Sequence, residues 1–429
     1  MKFKLLNDKN FSLLMFGKIT SLIGSSMQGF ALSLYILSTT GSASKFASIL
    51  AISIIPQLIL GPFAGVIVDW FYRKNILIVL DLISGVLVSI FAVIYVVTGE
   101  MTLVNIYIMI IILSVISTID SPALQTIIPT ITKKEELVDA NALNSLIMSI
   151  GSVVSPAIAA LVYGSLGLMG VFIINSISFF LSAISELFLV IPRSAKNKEK
   201  ISMKAFLGEF KEGLNFVKKR KDIINIISLA IILNFAFGSL NVGITFISKI
   251  TLRISDFQYG LLQSVTVIGT IVSTFFIKWF SKKNSIGKNI YVCFMMASFI
   301  ILGYAIVTFD YFVAMENSTI YLFLLLISVN FILFIFISLG NMFAEINFQS
   351  IVPLDFMGRV GTVMTTGCMI AIPLSNMMYG YLFDKISVSI IFIFSSVIMI
   401  VAMLLYKRPL LLIGANNNEI PVEAPIEVE

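Results

Sequence analysis

In the stretch GPFAGVIVDWFYRKN, residues 61–75, a long apolar run ends in one acid, Asp69, and two bases, Arg73 and Lys74. Opposite charges at a helix end can make and break ion pairs, which is the chemistry of a reversible latch. Asp69 would stand at the C-terminal end of its helix, where the helix dipole disfavours a negative charge, so it needs compensation from another element. Three more acids, Asp81, Asp120 and Glu186, fall inside or at the edge of apolar runs. At ~1.5 Å per residue, Asp81 lies about 9 Å in from the end of its helix. Asp120 and Glu186 fall toward the same boundary, and no acid reaches the middle of a run. A carboxylate in such a place is a functional suspect by default, and Asp81 or Asp120 is the candidate proton carrier. The sequence holds no His, which removes His-based metal sites, catalytic triads and pH switches. Cys293 and Cys368 both sit in apolar segments and offer no disulfide framework. No cofactor, metal or enzymatic constellation is expected.

The elements that carry these residues follow from composition. Of 429 residues, 58% are hydrophobic and 12% charged, and the mean hydropathy is +1.02. A soluble chain carries about a quarter charged residues. Half that supply implies that most of the surface faces lipid. A span of ~30 Å needs about 20 apolar residues, and the runs are continuous rather than alternating, so helices and not a β-barrel are expected. Twelve spans are predicted, near 11–37, 45–70, 75–97, 103–129, 138–163, 167–191, 222–249, 257–280, 288–308, 319–343, 357–382 and 387–406. The first is too long for a signal peptide and reads as a span. Turn-like TTGSAS, TGEMT and YGSLG separate some of them. With both termini placed in the cytoplasm, 25 of the 29 bases fall on the inner side and Lys45, Lys249, Arg253 and Lys385 outside, as the positive-inside rule requires. The net charge of +6 is thus a topology signal, and no nucleic-acid partner is implied.

The predicted division is a six-helix unit over 1–192, a basic linker over 193–221, a second unit over 222–408 and a disordered acidic tail over 409–429. In the linker, Met203, Phe206, Leu207, Phe210, Leu214 and Val217 recur at helical spacing opposite lysines. Either an amphipathic helix on the inner leaflet or a helix packed on the bundle fits this pattern. The two units echo each other. WFYRKN at 70–75 returns as WFSKKN at 279–284, with both tryptophans of the chain, and LQTIIP at 124–129 returns as FQSIVP at 348–353. Alignment of the tryptophans sets Asp69 against Lys278. The bases recur and the acid does not, so Asp69 is more than a boundary mark.

GVIVDWFYRKN resembles the loop after the second helix of the major facilitator superfamily, roughly G-x-x-x-D-[RW]-x-x-R-[RK]. Gly65, Asp69, Arg73 and Lys74 fall on its key positions. GSVVSPAIAALVYG resembles the family's fifth-helix antiporter motif at Gly151 and Pro156, while Ser155, Ala159 and Ala160 stand where it has glycines. The end of the fourth span, IDSPALQTIIPTITKKEELVDANALNS, is similar to macrolide-efflux-type and siderophore-exporter-type members. The resemblance implies a twelve-helix, all-α fold of two pseudo-symmetric bundles. It also implies a cytoplasmic latch in which Asp69 meets the start of helix 11 at Gly358 and Arg359, and Arg73 pairs with Asp120. For Gly151, Ser155 and Pro156 an antiporter role and plain helix packing both stay open.

Transport cavities of this fold lie between the halves. Gln28, Asn234 and Asn330, with Phe30, Phe235, Phe237, Phe331 and Phe334, are the polar and aromatic residues at that depth. They would suit a bulky amphipathic molecule, and interhelical hydrogen bonds account for the amides equally well. The expected protein is therefore a monomeric exporter in a bacterial plasma membrane, moving a hydrophobic or amphipathic small molecule against protons. Uptake is the alternative within transport. A receptor would need an output domain for which no segment is long enough.

Overall fold

The computed structural model describes residues 5, 7–133, 136–191, 203–314 and 318–412, and among these no strand occurs. The helices are α1 (Lys9–Thr40), α2 (Ala43–Ile52), α3 (Ile55–Trp70), α4 (Arg73–Thr98), α5 (Leu103–Ile131), α6 (Leu137–Leu187) and α7 (Met203–Lys219). They continue with α8 (Lys221–Phe246), α9 (Asp256–Lys283), α10 (Ile286–Val307), α11 (Asp310–Val313), α12 (Ser318–Ile351), α13 (Leu354–Lys385) and α14 (Val388–Leu412). Capping side chains start several of them: Asp8 accepts from the Phe11 amide at 2.9 Å, and Ser255 and Gln258 form a reciprocal capping box on α9.

Eleven of the described helices are long and apolar enough to cross a bilayer, and α6 crosses twice. As one rod its 51 residues would run ~76 Å, more than twice the ~30 Å hydrocarbon core. The chain reverses at Gly167, whose φ of 64° and ψ of −165° leave the helical region. Packing against α1 shows the reversal. Asn144 reaches Lys18 and Gly151 faces Leu22, so the first arm runs with α1. Asn175 then reaches Gln28 and Ser185 lies against Gly17, so the second runs against it. With this reversal, the described residues hold helices for all twelve predicted crossings.

Boundaries differ in three places. The second span breaks at Ser53–Ile54 into α2 and α3, with Pro56 in the first turn of α3; proline lacks the N–H that would continue the ladder. The tenth span runs on to Ile351 as α12, because backbone hydrogen bonds extend a helix past the point where hydropathy falls. The twelfth continues to Leu412, and the rest of the acidic tail, 413–429, lies outside the described residues. The echoed prolines also part: Pro129 lies within α5 while Pro353 caps α13.

The end that carries α7 is the linker end, and the opposite one the far end. The α7 helix packs on the second half, with Val217 in a core with Ile223, Ile227, Phe348 and Val360, and Phe210 and Leu214 against it. Large apolar side chains such as Val97, Phe275 and Leu405 stay exposed, forming the surface that lipid covers.

Among the described residues, core packing, ring contacts and hydrogen bonds between the halves gather at the far end. Leu34, Leu37, Phe46 and Ala47 share one core with Leu240, Ile247, Tyr259 and Tyr379. Phe30 lies against Tyr259 with centroids 5.0 Å apart. Helix backbones approach closely at two glycines. A Cβ on Gly260 would stand 2.6 Å from Ala160 Cβ and 2.9 Å from the Pro156 carbonyl, and Gly380 sits against Ala43 and Ala47 in the same manner. Gly260→Val would overpack this approach, at a cost of about 1–3 kcal/mol to the closed far end. With Cys293 and Cys368 replaced by Ala, a Leu34→Cys thiol should then react with a maleimide about tenfold faster in the Gly260→Val background. Equal rates would show that this approach does not hold the halves together.

Candidate functional site

A cavity of about 900 Å³ lies within the first six spans. It runs along α1 from Ser33 to Lys18, 15 residues or about 22 Å, and reaches Ile128 and Asn141 toward the linker end. Its wall is polar. Serines from α1, α4 and α5 line it together with Gln28, Gln57, Gln125, Asn141, Asn144 and Asn175. In a lipid-embedded helix a serine satisfies itself by donating to the preceding turn, as Ser33 does to the Gly29 carbonyl at 2.7 Å. Ser114 of α5 donates to the Ser53 carbonyl at the break between α2 and α3. The interruption in the second span thereby becomes part of the cavity wall.

Gln28 is buried at the cavity's base, accepting from the Asn175 amide and donating to Met109 Sδ at 3.6 Å. It is the expected cavity residue that lines this cavity. Phe30 belongs to the far-end seal. Asn234 donates to the Ala230 carbonyl at 2.9 Å and lies against Cys368, and Phe235 packs near Tyr379. Asn330 is fully buried in the second half, accepting from Tyr304 at 2.6 Å and donating to Thr266 and the Leu262 carbonyl. Phe334 packs against the same core. The amides of Gln28 and Asn330 are consumed by interhelical bonds, as the low-dielectric interior demands, while half-buried Asn234 bonds back to its own helix.

The charged side chains on the cavity wall are Lys18, Asp81 and Asp120. Lys18 sits nine residues into α1, about 14 Å along it, and donates to Asn144 Oδ1 at 2.6 Å. Asp120 of α5 is within electrostatic reach of that ammonium. Asp81 of α4 is buried, with Ser182 of α6 beside it. Glu186 is also buried and within electrostatic reach of both aspartates. Thus Asp81 and Asp120, the expected proton carriers, are brought to one wall. Lys18 and Glu186 complete the set; the sequence placed Glu186 toward the same boundary, and the depth of Lys18 in α1 was the signal that sequence reading passed over.

Of the expected latch residues, Gly65 and Asp69 fall in α3, but their surroundings lie outside the described residues. Arg73 opens α4. Lys74 donates to the Leu187 carbonyl at the end of α6 at 2.7 Å, a cation on a helix C-terminus. Gly358 is exposed near the start of α13. Arg359 pairs with Glu212 of α7 at 3.2 Å and lies over the Phe356 ring, which stacks on Phe216 at 4.3 Å. The start of the eleventh span is thus engaged by the linker helix. In the fifth span, Ser155 donates to the Gly151 carbonyl at 2.6 Å, and Pro156 meets Gly260 at the far end.

At the far end stands a contact that sequence reading missed. Asp384, at the C-terminal end of α13, accepts from the Ala43 amide at 2.7 Å, the Ser44 amide at 3.0 Å and the Ser42 hydroxyl at 2.8 Å. It caps α2 across the two halves. Its signal was a shared spacing: Gly380-x-x-x-Asp384 repeats Gly65-x-x-x-Asp69 at the opposite end of the partner span.

Residues 14–375 match the family model of the Major Facilitator Superfamily. Macrolide efflux protein A of Streptococcus pyogenes is 24% identical over 264 residues, 60% of this chain and 65% of that protein. The uncharacterized MFS-type transporter YkuC of Bacillus subtilis is 26% identical over 285 residues, with 62% and 65% covered. The chain therefore spans just under two thirds of the length of these relatives. Among solved structures, the nucleoside transporter NupG superposes with a TM-score of 0.73 at 15% identity, covering 92% of this chain and 98% of that one. A bacterial homologue of the iron transporter ferroportin in its inward-facing state gives 0.71 at 15%, covering 97% and 100%. Its outward-facing state gives 0.57 at 18%, covering 93% and 98%. With a family model covering most of its length and twelve membrane crossings, the chain belongs to the Major Facilitator Superfamily of membrane transporters.

Proposed function

We propose that the protein exports hydrophobic or amphipathic small molecules from the bacterial cytoplasm by proton antiport, as a monomer in the plasma membrane. The observation that carries this reading is the pairing of a closed far end with a cavity reaching toward the linker end. The concentration of basic residues at the linker end supports a cytoplasmic linker end under the positive-inside rule, with both termini inside. The cavity is open to load from the cytoplasm, an inward-facing state. The closer superposition on the inward-facing ferroportin homologue supports that assignment, and the macrolide efflux relatives support export of bulky compounds.

In this reading two helix-end carboxylates alternate. Asp384 on the start of α2 holds the far end shut now. Asp69 on the start of α13 holds the linker end shut in the outward-facing state, with Arg73 and Asp120 as its supporting pair. Each latch must break for the other to form, which is the bistability that alternating access needs. Arg359 leaves Glu212 when the second latch forms. Asp81 and Asp120 carry the proton.

Cells expressing the wild type should clear a panel of macrolides, dyes and siderophores. Asp69→Asn should slow that clearance by about tenfold, the loss expected when a gating interaction worth ~1.4 kcal/mol is removed; unchanged clearance sinks the Asp69 latch. Asp384→Asn weakens a helix cap worth about 1 kcal/mol. It should raise maleimide labelling of Leu34→Cys about fivefold by shifting the population outward. A protonophore should abolish wild-type efflux, and efflux that survives it rules out proton antiport.

A further inference from the structure

At the linker end of the cavity, acids from three helices face one base. Asp81 and Asp120 line the wall, Glu186 backs them within electrostatic reach, and Lys18 supplies the cation. Glu186 is 4% exposed, and its Oε2 has no hydrogen-bond partner in the protein. The set has three acids to one base in a site walled by protein, and close buried acids ionise together only when a cation joins them. Low-dielectric walls focus the field of such a set and draw cations into the cleft. A buried oxygen without a partner is costly, and the cost falls when a cation enters.

Lys18 is half-buried on the cavity wall. Its one direct hydrogen bond described is to the neutral Asn144 Oδ1, and its four-carbon stem lets it swing aside. The cavity volume of about 900 Å³ accommodates a bulky organic molecule. We propose that Asp81, Asp120 and Glu186 form a subsite for the cationic group of an amphipathic organic cation, with Lys18 as the resident counter-charge that substrate displaces. The proposal rests on the exporter reading and names the charge of its substrate.

The test compares tetraphenylphosphonium with tetraphenylborate, ions of like size and opposite sign, by calorimetry on the purified full chain in detergent. The phosphonium should bind and the borate should bind roughly tenfold or more weakly. Glu186→Gln and Asp120→Asn, each checked for monodispersity, should weaken phosphonium binding roughly tenfold, since each removes one desolvated charge partner. Glu186→Asp should keep most of it. Lys18→Gln should tighten it, a sign that a merely structural lysine would not give. Equal binding of the two ions, or phosphonium affinity unmoved in Glu186→Gln and Asp120→Asn, would overturn the subsite. So would weaker binding in Lys18→Gln. If those acid variants instead lose only proton-driven efflux of a neutral macrolide, protons are the occupant and the subsite is refuted. Failure of the exporter reading shows separately, as wild-type cells that clear nothing while phosphonium binding persists.

Discussion

A carboxylate at the end of one helix, set on the unpaired amides at the start of another, decides where the two halves of this protein touch. The first amides of any helix lack intrahelical acceptors, and the last turn carries a partial negative charge that repels an acid. Asp384 is poorly placed on its own helix and well placed on α2. The interaction thus joins the two halves. Close approach at Gly260 and Gly380 then lets backbones meet where side chains would hold them apart. With the far end shut in this way, the space between the first six spans reaches toward the linker end.

The bilayer explains why polar residues divide into two kinds. An amide surrounded by hydrocarbon must find partners within the protein. Asn330 does so completely, bonding to Tyr304, Thr266 and the Leu262 carbonyl, and ties α9, α10 and α12 together. Gln28 and Asn175 serve each other in the same way while also lining the cavity. Glu186 is the acid among the few buried groups that keep an atom without a partner, which include Asn347, Asn289 and Tyr379. Its neighbours are other acids, so packing alone does not account for it.

Much of the fold was legible in the residues. Apolar runs of the length a bilayer requires, broken at TTGSAS, TGEMT and YGSLG, were enough for twelve crossings, and the third of these turns is where Gly167 reverses the chain. The helical spacing of Phe210, Leu214 and Val217 foretold α7. What escaped were features without a hydropathy signature. The break at Ser53 arises from one proline in an otherwise apolar run, and the cavity wall is built of serines that each look unremarkable in their own helix. Phe30 and Phe235 matched a cavity wall by depth alone, and depth does not tell which way a side chain faces.

The sequence by itself determined that the chain is a membrane-embedded bundle of two related halves, because hydrophobicity, charge bias and repeats are properties of single segments. It also marked Asp69, Asp81 and Asp120 as acids that need an explanation. Only the tertiary structure decided which groups meet: Asp384 with the start of α2, Arg359 with Glu212, and Lys18 near Asp120 with Asp81 and Glu186 close by. Such pairings join residues tens to hundreds of positions apart. Electrostatic and hydrogen-bond energies depend on distance and burial, and a linear sequence specifies neither until the helices have packed.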